Sequence, residues 1–328
     1  MTVRDPLRAI ETAYADEPDE GAWLRRLVEA FEPYDQGGGV VVCTIALGDR
    51  TRVQTMAATP GIEAATRSIR SFVAKLPSPL ARRVFAPTEF VGNAAWRLHR
   101  VGAFAEDDAA DGDESHAKRL PPMWALVAGD GATHAMMVAF LAGDSAAFSR
   151  TDRFPDRDRR VLGLVGAHLG STLRLRRAAR TTNDAVLAPD GRVLDASGEG
   201  ATKAARRSLS EAVLRAERAR GTLRRTDDAE AAATWRALVA GKWSIVEVVE
   251  SDGKRLLLAK ANAPAFERRG ALTKEENDVV WLSALGHSHK HVAYELGLSI
   301  GTVVRRLSSA MLKLGVTSRA ELARKLGR

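Results

Sequence analysis

Two short stretches near the C-terminus combine basic, hydroxyl-bearing and small apolar side chains. An arginine can bond both acceptors of guanine, a serine can donate or accept at a base edge, and valine can contact the thymine methyl. Lysine, together with the unpaired N–H groups at the start of a helix, suits a phosphate. These residue types predict contact with a nucleic acid. The residues are Ser288, His289 and Lys290 in the first stretch and Thr302, Val304, Arg305, Arg306 and Ser308 in the second.

Helix caps divide the region that carries these residues into four short helices. Thr273 and Glu276 have the T-x-x-E spacing of a capping box, which predicts the start of a first helix. A second helix is expected over about Ser288 to Leu296, with Gly297 suited to the left-handed conformation that follows a helix end. The second helix and the turn after it therefore have well-defined limits.

The third and fourth helices have similar signals. Ser299 is expected to cap the third helix and Gly315 to end it, while Ser318 and Glu321 predict a second capping box. Helix two, a short turn and helix three form a helix-turn-helix, in which the second of the two helices enters the major groove.

The apolar stripe of the third helix decides which side chains face outward. Val303 and Leu307 define the buried side, and a rotation of 100° per residue places Val304, Arg305 and Ser308 on the opposite side. We expect these three to meet base edges. Thr302 and Arg306 flank them and are expected to hold phosphate, as are Ser288, His289 and Lys290 at the start of the second helix.

Three segments, LTKEE, KHVAYELGLSIGTVVRRL and KLGVTSRAELARKL, resemble the LuxR-type DNA-binding domain between Leu272 and Leu326. The resemblance implies that residues 266–328 bind double-stranded DNA, that Val304, Arg305 and Ser308 read bases, and that the fourth helix contributes to a homodimer. The chain departs from the family pattern at several positions, and three apolar residues stand where polar ones are usual. We hypothesise that these three, Trp281, Leu285 and Leu312, make interdomain or dimer contacts.

The upstream sequence predicts two sensory-type domains and an α+β fold class. Residues 1–178 contain helices and two strand pairs, around Gly48-Asp49-Arg50 and Gly129-Asp130-Gly131, and resemble a GAF domain. Residues 183–262 carry hairpin signals at Asp190-Gly191 and Asp252-Gly253 and resemble a degenerate PAS domain. Both are expected to be antiparallel sheets with helices, followed by the all-α domain. They imply a small-molecule or protein effector, whose identity the sequence leaves open.

Charge and composition agree with an anionic partner inside the cell. From Phe266 to the end, eleven Lys and Arg face six Asp and Glu, a net +5 of the chain's +8. Neither a signal peptide nor a long apolar run is evident, so we expect a cytoplasmic protein without membrane contact. The single cysteine, Cys43, lies in an apolar stretch and is expected to be a core residue.

Several other chemistries are disfavoured. Neighbouring histidines of His287, His289 and His291 point about 200° apart on a helix, so we expect no metal site and no cofactor. The segment SGEGATK lacks the order of a phosphate-binding loop, and no hydrolase motif occurs, so an enzyme is not expected. The alternatives that remain are a sigma-factor-like initiation protein and a protein-interaction module that uses a helix-turn-helix.

Overall fold

A computed structural model describes residues 4–15, 17, 19–85, 89–92, 123–130, 133–143, 154–177, 183–249, 253, 255–262 and 272–326. The chain forms two compact units, one of residues 1–13 and 17–170 and the other of residues 14–16 and 171–328. The predicted acidic loop near residues 106–114 and the predicted linker at 264–270 lie outside the described residues. The division into domains 1–178, 183–262 and 266–328 stays a prediction.

The first unit is an antiparallel sheet with helices on both faces. Its strand order is β2-β1-β5-β4-β3, so neighbours in sequence pair at both edges of the sheet. The elements are α1 (Pro6–Ala13), α2 (Glu20–Phe31), β1 (Gly37–Leu47), β2 (Thr51–Ala58), α3 (Glu63–Lys75), α4 (Ser78–Phe85), β3 (Glu89–Gly92), β4 (Met123–Gly129), β5 (His134–Ala142) and α5 (Asp156–Arg177). The last of these helices continues from the first unit into the second.

The central strands are apolar along almost their whole length because helices cover both faces of the sheet. One face packs against α3 and α4 through residues such as Val41, Met137 and Ile69. On the opposite face, the ring of Phe140 contacts those of Phe31 and Phe154, with centroids 6.0 Å and 5.4 Å away. The expected hairpin at residues 48–50 is confirmed.

Cys43 lies in the core of the first unit, as predicted. It is fully buried on β1, and burial raises the pKa of its thiol to about 12. A thiol with so high a pKa carries almost no thiolate at neutral pH. Cys43 therefore serves packing rather than reactivity.

The second unit begins with a smaller antiparallel sheet, of strand order β7-β6-β9-β8. Helix α6 covers one face through Leu209 and Val213, which pack against Leu257 and Ala259 of the sheet. The elements are β6 (Ala185–Leu187), β7 (Val193–Ala196), α6 (Lys203–Arg218), α7 (Asp228–Thr234), β8 (Trp243–Val249) and β9 (Arg255–Ala261). The two sheets agree with the predicted α+β class of antiparallel sensory-type units.

The C-terminal part of the second unit is helical, as predicted. It contains α8 (Lys274–Ala284), α9 (His289–Leu296), α10 (Ile300–Leu314) and α11 (Arg319–Lys325). Their apolar faces meet in one core, in which Val279, Val292, Val303 and Leu322 are fully buried. Across the described residues, no helix has both the length and the apolar character that a membrane crossing requires.

A segment upstream of β8 packs directly on α9 and on the turn after it. The hydroxyl of Tyr294 is buried, 2.8 Å from the carbonyl oxygens of both Ala232 and Trp235. The amide of Gly241 donates to the Leu296 carbonyl at 2.6 Å, and Arg236 donates to the Leu298 carbonyl at 3.0 Å. These bonds fix the helical part to the sheet-bearing part of the same unit.

Gly297 is the closest point of this contact. Its φ is +63°, and a Cβ at this position would lie 1.7 Å from the backbone oxygen of Leu238. The side chain of Leu238 is itself buried in the helical core. Only a residue without a Cβ allows the two backbones to approach this closely.

Sequence patterns missed several short elements. The expected helix over residues 62–76 corresponds to α3, but α4, β3 and α7 were not predicted. Helix α7 is rich in alanine and has few large apolar residues, so it carries little periodic signal. The strand β3 has only four residues, which is too short for a clear alternation.

Two glycines in the left-handed conformation allow a matched test of the close contact. Gly315 also has a φ of +63°, but nothing lies within 4 Å of the place where its Cβ would be. We expect Gly315→Ala to lower the free energy of unfolding by about 1–2 kcal/mol, from backbone strain alone. Gly297→Ala should lower it by about 3–5 kcal/mol, because the oxygen of Leu238 cannot rotate away.

Urea unfolding of the full-length variants, with hydrogen exchange of the peptides that contain residues 232–241, measures both effects. Gly297→Ala should increase exchange in that segment, and Gly315→Ala should leave it unchanged. Equal losses in the two variants would show that the approach to Leu238 does not limit stability.

Candidate DNA-binding surface

The caps that bound α9 and α10 form as predicted. The hydroxyl oxygen of Ser288 accepts from the amide of His291 at 3.2 Å, and that of Ser299 accepts from Thr302 at 3.1 Å. Gly297 and Gly315 end the two helices in the left-handed conformation. The turn between α9 and α10 is thereby defined at both ends, which sets the angle at which α10 leaves it.

Helix α8 begins with the predicted capping box, and the same glutamate also joins α8 to α10. Glu276 accepts from the Thr273 amide at 2.9 Å, while its own amide donates to the Thr273 hydroxyl at 3.2 Å. Its carboxylate also accepts from Lys313 at 2.7 Å and from Ser309 at 2.7 Å. Lys313 first, and then the Thr273 amide, lower the pKa of Glu276 to about 2. Glu276 is therefore charged and holds α10 against α8.

The predicted capping box of α11 is only half correct. Ser318 accepts from the amide of Glu321 at 3.1 Å, as expected. The carboxylate of Glu321, however, accepts from the amide and hydroxyl of Thr317, at 2.8 Å and 3.1 Å. Thr317 offers two donors where Ser318 would offer one, and these bonds lower the pKa of Glu321. The prediction of a reciprocal bond to Ser318 was wrong.

The three predicted base-reading residues lie together on the exposed side of α10. Val304 is 40% exposed, and Arg305 and Ser308 are also exposed. The opposite side of the helix is buried in the core through Val303 and Leu307. An exposed arginine, hydroxyl and methyl group within two helical turns match the donors and apolar contacts that the major groove accepts.

The predicted flanking residues differ in how free they are. Thr302 is half-buried, and its hydroxyl lies 2.8 Å from that of Ser299, so it is already engaged within the chain. Arg306 is also half-buried, and its Nη1 has no hydrogen-bond partner among the described residues. A guanidinium nitrogen left in this state can still donate to a phosphate.

The N-terminus of α9 carries the other predicted phosphate contacts. Lys290 and Ser288 are exposed, and His289 is half-buried. The Ser288 oxygen caps the helix, so its remaining capacity for a phosphate is its own O–H. The positive end of the helix dipole and the charge of Lys290 act in the same direction.

Arg319 is a supporting residue that sequence patterns did not identify. Its guanidinium donates to the carbonyls of Ser283 and His287, at 2.9 Å and 2.6 Å. It therefore holds the turn between α8 and α9, which precedes Ser288. A basic residue in the first turn of a helix gives no sequence signal for such a role, because the bond depends on tertiary packing.

Of the three apolar residues for which we hypothesised interface contacts, two have a different explanation. Trp281 and Leu285 are half-buried and pack against the core of the helical part. Leu312, in contrast, is 83% exposed on α10. Packing within the domain accounts for the first two, and only Leu312 remains available for an interface.

Two buried carboxylates lie beneath this surface. Asp278 is 4% exposed, and burial raises its pKa to about 6, opposed by Arg174. Glu295 is 3% exposed, and burial raises its pKa, opposed by His291 and Arg174. Sequence patterns did not predict these buried acids, because acidic residues on short helices usually face solvent.

His287, His291 and Glu295 form a cluster that the predictions also missed. Their ligand-type atoms all lie within 4.8 Å of one another. Sequence analysis weighed the spacing of neighbouring histidines and rejected a metal site. The spacing of four between His287 and His291, repeated at Glu295, was the signal that could have found the cluster.

Comparison with protein-family models assigns the helical part. Residues 270–326 match the model described as GerE, bacterial regulatory proteins, luxR family. The match covers α8 to α11 and supports a DNA-binding domain of a transcriptional regulator, as the resemblance implied. No curated protein matches the chain.

Neutralising Glu276 tests the bond between α8 and α10. At pH 7 we expect Glu276→Gln to lower the free energy of unfolding by about 1–3 kcal/mol, because the charged bond to Lys313 is lost. Because the folded pKa lies near 2, below the ordinary value of 4.5, the stabilisation is present above pH 4.5 and falls as the pH decreases toward 2.

Urea unfolding of the full-length protein at pH 7, 5 and 3.5 measures the loss. The exposed Glu275, in the same helical turn, provides the control substitution Glu275→Gln. The gap between wild type and Glu276→Gln should narrow at pH 3.5. A gap that is constant with pH, or equal effects of the two substitutions, would contradict the assigned role of Glu276.

Proposed function

We propose that this protein is a sequence-specific, DNA-binding transcriptional regulator whose α10 reads the major groove. The observation that carries the proposal is the exposed row of Val304, Arg305 and Ser308, on a helix capped at both ends within a luxR-family match. Arg305 bonds guanine, Val304 contacts a thymine methyl, and Ser308 donates or accepts at a neighbouring base edge.

Phosphate contacts set the register of α10 on the duplex. Lys290 and the α9 N-terminus meet one phosphate, and Arg306, with its unpartnered Nη1, meets another on the flank of α10. These contacts add affinity for any sequence and make binding depend on salt. Specificity then comes from the three base-reading residues.

The regulator acts as a homodimer in this proposal. A helix-turn-helix dimer binds two half-sites about one helical turn apart, so its operator is partly palindromic. Leu312, 83% exposed on α10, supplies an apolar side chain outside the reading row. Substitution of Leu312 with glutamine should weaken dimers without altering the preferred half-site.

The two upstream sheets act as the sensing part, in the manner of GAF-like and PAS-like domains. A small molecule or a protein partner would control DNA binding only if it binds two states of the protein with different affinity. The bonds between residues 232–241 and α9 offer a route, because they connect the second sheet to the helix-turn-helix. The proposal assigns no catalytic step and locates the regulator in the cytoplasm, where it meets chromosomal DNA.

Two substitutions separate reading from positioning. Arg305→Ala should lose about 1–3 kcal/mol at one operator position and relax the base preference there. Lys290→Ala should weaken binding to all sequences alike and reduce the salt slope by about 1. The charge-matched control is Arg206→Ala, which removes an exposed arginine from α6.

The measurement begins with selection of preferred sites from random DNA by the full-length protein. The best site and a random duplex are then titrated at several salt concentrations. A selected site bound at least about a thousandfold more tightly than random DNA supports a specific regulator. Equal losses of Arg305→Ala on both duplexes would refute its reading role, and absence of DNA binding would favour a protein-interaction module.

A further inference from the structure

His287, His291 and Glu295 lie one helical turn apart, along α9 and the turn before it. The rings of His287 and His291 are stacked, with centroids 4.6 Å apart and planes at 24°. Nε2 of His291 lies 3.7 Å from Oε2 of Glu295. Residues spaced by four lie on the same side of a helix, so all three side chains converge.

The atoms between these side chains are buried but poorly satisfied. Glu295 is 3% exposed, and its Oε2 has no hydrogen-bond partner among the described residues. Nε2 of His291 is in the same state, since 3.7 Å to Glu295 is too long for a hydrogen bond. A buried carboxylate oxygen without a partner is costly, and a cation placed between the two atoms would remove that cost.

The donor set indicates which cation fits. Two imidazoles and one carboxylate suit Zn²⁺, which takes such ligands at about 2.0–2.2 Å and leaves a fourth position open to water. Tetrahedral ligands at this distance are about 3.3 Å apart, close to the 3.7 Å between His291 and Glu295. Ca²⁺ and Mg²⁺ prefer oxygen ligands alone and fit less well.

We propose that His287, His291 and Glu295 bind one Zn²⁺ ion, which ties the turn before α9 to the helix. The backbone of His287 is already held by Arg319, so the turn is positioned before the ion binds. Ser288, His289 and Lys290 lie between the first two ligands along the chain. The ion therefore fixes the N-terminus of α9, where a phosphate would bind.

Zinc binding is independent of the proposed function, but its effect on DNA rests on it. If α9 holds a phosphate, a rigid N-terminus loses less conformational freedom on binding DNA. Zinc should then increase affinity for specific and random DNA by a similar factor, because phosphate contacts carry no sequence information.

Calorimetric titration of ZnCl₂ into the full-length, tag-free, chelator-treated protein tests the site. We expect a site with a dissociation constant on the order of 1 μM or below. His291→Gln and Glu295→Gln should each weaken it at least about tenfold. His289→Gln, which changes a neighbouring histidine outside the cluster, is the matched control. An unaltered zinc affinity in both ligand variants, or no zinc binding by the wild type, would overturn the proposal.

A second measurement does not depend on how the variants fold. Hydrogen exchange of the wild type with and without Zn²⁺ should show protection concentrated in peptides that cover residues 282–297. Protection elsewhere alone would assign the ion to another site and overturn the proposal.

DNA titration in Zn²⁺ and in chelator separates the two proposals. A change of at least about fivefold on both specific and random duplexes supports coupling through phosphate contact. Zinc binding at the cluster with unchanged DNA affinity would overturn the coupling and leave a structural site. Zinc binding without DNA binding in any condition would instead contradict the proposed function.

Discussion

The close approach of Gly297 to the Leu238 backbone is the constraint on which the second unit depends. It lets α9 lie directly on the segment before β8, where Tyr294 finds two carbonyl acceptors and Gly241 bonds Leu296. The same glycine ends α9 and opens the turn toward α10. One residue without a Cβ therefore sets both the helix-turn-helix angle and its attachment to the sheet.

Charged residues reinforce this arrangement from the other side. Glu276 joins α8 to α10 through Lys313, and Arg319 holds the turn between α8 and α9. Both act on backbone or side-chain groups that neighbour the proposed reading row rather than on the row itself. The exposed residues Val304, Arg305 and Ser308 are thus presented by a frame that is bonded independently of DNA.

The buried acids and histidines complicate that frame. Asp278 and Glu295 lie beneath the DNA-binding surface, where burial raises the pKa of each carboxyl. Such groups lower stability when ionised unless a partner compensates them. Their retention beside the contact with residues 232–241 is the feature that links the helix-turn-helix to regulation by an ion or by the upstream sheets.

Local sequence determined the features of this protein that depend on short-range bonds. The caps at Thr273, Ser288 and Ser299, and the exposed side of α10, follow from side chains within four residues of each other, and all were predictable. Tertiary structure alone decided the rest. Glu321 chose Thr317 over Ser318, Arg319 reached the turn before α9, and Trp281 and Leu285 turned to their own core. These outcomes depend on which distant groups packing brings within bonding distance.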